Sequence, residues 1–129
     1  MSESQDGQDA ASPVRAKPLV IKITQKDGVT VVSPQSSVDY YHLTELKEQI
    51  AAVVDGGCAN VVIDLSHALY LASTTVGVLI GQKAKATQKK GDVRLCHVAP
   101  GLWNMFVHLG IESVFERFGT VEQAVQSFQ

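Results

Sequence analysis

The segment Asn60–Ser66, NVVIDLS, limits the fold more than any other stretch of the chain. It is a continuous apolar run, too short for an ordinary helix, and it fits a β-strand covered on both faces. Such a strand needs strands beside it and helices over it, so the flanking segments decide the architecture. Upstream, LVIKIT (Leu19–Thr24) and VTVVS (Val29–Ser33) are β-branched and separated by QKDG. Asp27-Gly28 in that link signals a hairpin, with Gly28 supplying the positive φ of a tight turn. After the polar loop PQSS, Asp39 is a candidate N-cap, and Leu43, Leu46, Ile50, Val53 and Val54 recur at helical spacing. Asp55-Gly56-Gly57 ends that helix.

Downstream, a second helix is expected from about Thr74 to Lys89, ended by Gly91, with a strand DVRLCHV (Asp92–Val98) after it. A short helix follows Pro100, carries Leu102, Trp103, Phe106, Val107 and Leu109, and ends at Gly110. SVFERF (Ser113–Phe118) reads as a short edge-like strand. Thr120 caps a last helix with Val121, Ala124 and Val125 facing inward. The order β-β-α-β-α-β-α-β-α predicts one α/β domain: a mixed, mostly parallel sheet of about four to five strands, with helices packed against it and right-handed crossovers. Residues 1–17 are polar with almost no apolar content, so a disordered tail is expected there and the folded domain over 18–129.

The 129 residues are 45% hydrophobic and 19% charged, enough for one ordinary core. The net charge of −2 supplies no basic stripe, which argues against nucleic-acid binding. No run is long and apolar enough to span a bilayer, and the N-terminus lacks the apolar core of a signal peptide. A cytoplasmic protein without membrane insertion is the expectation. The two cysteines, Cys58 and Cys96, lie far apart beside apolar runs and form no CxxC pair, so reduced, mostly buried thiols are expected.

The four histidines, His42, His67, His97 and His108, are scattered, and no pair has metal-binding spacing. No metal site is expected. Asp64 and Ser66 close the buried strand, where sites form in open α/β sheets; they fit acid–base chemistry, or hydrogen bonds to loop amides. No GxSxG elbow and no phosphate-binding loop is present. Gly77 and Gly81 lie four apart, which suggests close packing of the second helix on the sheet.

The stretch Ser73-Thr74-Thr75 at the start of the second helix offers several readings. One hydroxyl there could cap the helix. A phosphate held covalently at the same place would be favoured by the free N–H groups and the helix dipole.

The apolar strand ending VVIDLS, then ASTTVG opening a helix, Gly91, VRLCHV, Pro100, the MF and GI pairs and SVFERF resemble the STAS domain, in particular the stand-alone bacterial anti-sigma-factor antagonists. The likeness spans about Leu19 to Phe128. It implies a binding protein that is not an enzyme and needs no cofactor. Its implied partner is an anti-sigma factor with a kinase-type ATP-binding domain, bound when the chain is unphosphorylated and released by phosphorylation. Alignment on Gly77 places the phosphoacceptor at Thr74, with Ser73 beside it and Asp39 as the acidic neighbour. The docking face so implied comprises Asp39, Tyr40, Ser73, Thr74, Thr75 and Val76, with Tyr41 adjoining. A homodimer is left open. Two positions depart from the family motif: Ala72 stands for an Asp and Thr75 for a Gly. The departures favour an alternative, a STAS interaction module that does not switch, such as a scaffold subunit or a soluble partner of a lipid-transport assembly. A small-ligand or nucleotide-binding domain is a weaker third reading, and an enzyme the weakest.

Overall fold

The computed structural model describes residues 18–129; the expected tail lies outside the described residues. Strands β1 (Ile21–Lys26) and β2 (Val29–Pro34) form an antiparallel hairpin. Asp27 and Gly28 take φ of 52° and 79°, the paired left-handed conformation of a two-residue hairpin turn. A 3-10 turn (Tyr40–His42) then leads into α1 (Leu43–Asp55). The chain continues through β3 (Asn60–Asp64), α2 (Ser73–Gln88), β4 (Asp92–Cys96), α3 (Pro100–His108), β5 (Arg117–Phe118) and α4 (Val121–Gln126).

Strands β2 to β5 are parallel, and the sheet order follows the chain, β1-β2-β3-β4-β5. Every crossover therefore runs in one direction, and right-handed connections place α1, α2 and α3 on one face. The core agrees. Leu46, Ile50 and Val54 of α1, Val76, Leu79 and Ala86 of α2, and Leu102 and Phe106 of α3 share one cluster with Val32, Val61, Ile63, Val93 and Leu95. The opposite face carries Val29, Val31, Val62 and Cys96, covered by Ala124 and Val125 of the short α4. Valines 61 and 62 thus point to opposite sides, so β3 is buried on both faces as its composition predicts. Thr120 caps α4 by accepting from the Gln123 N–H at 3.1 Å.

Several expectations need correction. Asp39 caps the 3-10 turn rather than α1 itself, accepting from the Tyr41 N–H at 3.0 Å. Ser113–Phe118 pairs with the sheet only at Arg117–Phe118. Phe115 is instead buried, its ring edge-on to Phe106 at 5.9 Å, and that insertion pulls the segment off the sheet. Gly77 and Gly81 do not face the sheet; both are exposed, and a Cβ at either would meet nothing within 4 Å. The buried side of α2 is Thr75, Val76, Leu79, Gln82 and Ala86, which leaves positions 77 and 81 on the outside of a 3.6-residue turn. Val107 and Leu109 are likewise exposed.

Candidate functional site

Two lead-in loops meet at the start of α2. Val38 and Leu71 form an isolated parallel bridge: the Val38 N–H donates to Tyr70 O at 3.0 Å, and the Ala72 N–H donates to Val38 O at 2.9 Å. The Tyr70 N–H also donates to Ser37 Oγ at 3.1 Å. Val38 and Leu71 are buried apolar anchors, so this clamp holds the chain that leads into Asp39 against the chain that leads into α2. Around it the surface is aromatic: Tyr40, Tyr41 and Tyr70 are each more than half exposed, and Leu69 is 73% exposed. Such residues are favoured in the cores of protein interfaces. Leu69 and Tyr70 were not singled out from the sequence; the signal available was an apolar pair in a loop that otherwise needs none.

The hydroxyls have unequal fates. The N-cap of α2 is Ala72, in extended geometry, and no side chain caps the helix. The capping role read for the hydroxyls is therefore not filled. Ser73 and Thr74 are exposed, whereas Thr75 is fully buried. Thr75 and Val76, expected on a docking face, are both buried, so neither presents its side chain to a partner. Asp39, half-buried, accepts from Tyr41 and sits 3.1 Å from His42 Nδ1.

A second polar group lies at the carboxyl ends of β3 and β4, on the side of the sheet that α4 covers. Asp64 pairs in register with Cys96. Its Oδ1 accepts from the Ser66 N–H at 3.1 Å, and its Oδ2 from Ser33 Oγ at 3.3 Å. The loop-amide reading of Asp64 is thereby met, while Ser66 contributes its backbone. Burial pushes the Cys96 thiol up to about 12, with the nearby Asp64 carboxylate adding to the shift. Glu122 is held below its ordinary value by its own backbone amide and by Lys26, whose Nζ is 3.2 Å away. An open cleft of about 520 Å3 adjoins, lined by Lys22, Lys26, Ser33, Asp64, His67 and Glu122 among others.

Residues 20–124 match the model of the STAS domain. The chain belongs to the STAS domain family. Among its relatives is BtrV of Bordetella bronchiseptica, which bears the name of an anti-sigma factor antagonist; it is 28% identical over 103 residues, covering 80% of this chain and 89% of BtrV. The structure of an anti-sigma factor antagonist from Mycobacterium paratuberculosis superposes with a TM-score of 0.78 at 24% identity, over 92% of this chain and 98% of that one. The Bacillus cell fate determinant SpoIIAA, in its phosphorylated form, superposes with a TM-score of 0.67 at 14% identity, over 85% of this chain and 100% of that one. The five-stranded mixed sheet with its helices is thus the STAS fold. Among the described residues of this STAS domain, no helix is long and apolar enough to cross a membrane.

Proposed function

We propose that this STAS domain is an anti-sigma-factor antagonist in a partner-switching pathway. It binds an anti-sigma factor with a kinase-type ATP-binding domain while Thr74 is unmodified, and phosphorylation of Thr74 releases it. The reading assigns binding, not catalysis, to the chain and places it in the cytoplasm. One observation carries it: Thr74 presents an exposed hydroxyl in the first turn of a 16-residue helix that no side chain caps. The free amides and dipole of that turn favour an added phosphate. The phosphate would bring about −1.5 to −2 charges to the end of the molecule where Tyr40, Tyr41, Leu69 and Tyr70 are exposed. A partner packed on that surface would have to desolvate the new charge. The relatives support the reading, since two of them are named as anti-sigma factor antagonists and a third was determined with phosphate attached.

The test is phosphorylation by the cognate kinase followed by mass-spectrometric mapping. Label is expected on Thr74 and absent from Thr74→Ala, which keeps partner binding; Ser73→Ala remains a substrate. Thr74→Glu should weaken the complex on the order of tenfold or more, because an unpaired charge is buried at the interface. No label on Ser73 or Thr74 from a kinase that binds the protein overturns the switch. Ala72 favours a second reading, a STAS module that binds without switching, because the acidic residue of the family motif is missing beside the acceptor. Recovery of membrane-transport subunits from native cytosol, in place of an ATP-binding anti-sigma factor, would support it.

A further inference from the structure

We propose that Asp64, Cys96 and His97 form a binding site for a zinc-like divalent cation. The ligand atoms of these three side chains lie within 4.8 Å of one another. The sheet itself creates the convergence. In the parallel register Asp64 stands opposite Cys96, and both project to the α4 side along with Val62 and Ser33. Asp64 Oδ1 and Cys96 Sγ are 3.8 Å apart. A tetrahedral zinc with bonds of about 2.3 Å to sulfur and 2.0 Å to oxygen spans roughly 3.5 Å between those two ligands, so this edge is nearly at coordination length.

The backbone sets the place of His97. It adopts φ of 56°, a left-handed conformation that costs a non-glycine residue, and its N–H donates to Phe118 O at 3.2 Å, which pins it. That conformation directly after the strand keeps His97 with Asp64 and Cys96, where continued extension would alternate it to the helix-covered face.

The donor set decides the metal. One sulfur, one imidazole nitrogen and one carboxylate oxygen suit zinc, whereas calcium and magnesium take oxygen alone. The Ser66 N–H and the Ser33 hydroxyl already hold the carboxylate, the first at Oδ1 and the second at Oδ2, as outer partners of a metal ligand commonly do. The fourth position is left to water, on the side of the cleft that Asp64 and His67 line. Binding converts the Cys96 thiol to a thiolate; the sulfur–hydrogen bond gives way to a sulfur–metal bond, and the proton passes to buffer. The site lies across the sheet from α2 and does not depend on phosphorylation of Thr74.

Calorimetric titration of the chelated, untagged full chain with zinc chloride tests this, with cobalt(II) chloride as a spectroscopic probe. One equivalent is expected to bind, with a thiolate-to-cobalt charge-transfer band in the near ultraviolet. Cys96→Ser should abolish that band. His97→Gly, which suits the positive φ, should weaken zinc binding on the order of tenfold or more while preserving the circular dichroism spectrum. Cys58→Ser should change neither signal. Absence of saturable binding, a cobalt spectrum without the thiolate band, or unchanged affinity in folded His97→Gly would each overturn the proposal.

Discussion

Thr75 carries a hydroxyl that the fold buries completely and leaves without a hydrogen-bond partner. Its neighbours Ser73 and Thr74 are exposed because each step along a helix rotates the side chain by about 100°. An unpaired buried hydroxyl costs about 1–3 kcal/mol. Thr75→Val keeps the shape and removes the polar atom, so it should raise stability by about 1 kcal/mol, read as a higher urea midpoint at constant slope. A clear loss of stability would show that the hydroxyl has a partner in solution. Because Thr75 is inaccessible, the same variant should leave phosphorylation of Thr74 intact.

At the scale of elements, the junction between α2 and β4 brings two backbones close together. Lys90 takes the left-handed conformation, with φ of 67°, and Gly91 follows it. The Gly91 N–H donates to Ala86 O at 2.8 Å, closing the helix. A Cβ on Gly91 would lie 2.1 Å from the carbonyl oxygen of Ala59, the residue before β3. Glycine is thus required for the approach of two backbones, not for a positive φ. Gly91→Ala should cost about 2 kcal/mol or more, because β4 must move away from β3 or the turn must reopen. Gly81→Ala is the contrast: it lies exposed in mid-helix with nothing within 4 Å and should gain roughly 0.5–1 kcal/mol. Denaturant unfolding of the pair separates steric from conformational effects.

Across the whole molecule, Asp92 links three parts of the chain. It contacts Lys83 of α2, accepts from the Val93 N–H at 2.8 Å and lies 3.1 Å from Arg94 Nε. Arg94 in turn donates to Ser127 O at 2.7 Å and lies over the Phe128 ring at 4.1 Å, tying the C-terminal end to the sheet. Burial works to raise the Asp92 carboxyl, but Lys83 and Arg94 outweigh it and hold it below its ordinary value of 3.8. A depressed carboxylate stabilises the fold fully above the unfolded value and loses that contribution as pH falls through the lower folded one. Stability should therefore decline below about pH 3.8 in part through this group. Asp92→Asn should be less stable at neutral pH and lose less on acidification, measured by thermal unfolding across pH.

The amino-acid sequence by itself determined the order of strands and helices, the Asp27-Gly28 hairpin, the Thr120 cap and the double burial of β3. These follow from local periodicity and turn chemistry, which act over a few residues. Only the tertiary structure decided which side of α2 faces the sheet, because a helix carrying apolar or small residues on most sides has no clear phase until it packs. It sent Gly77 and Gly81 outward, Thr75 inward, and Phe115 into the core at the expense of a longer β5. Likewise, nothing in residue spacing joins Asp64 to Cys96 and His97. Their meeting rests on the register of two parallel strands separated by a whole helix, and hydrogen bonding sets that register only once the sheet has assembled.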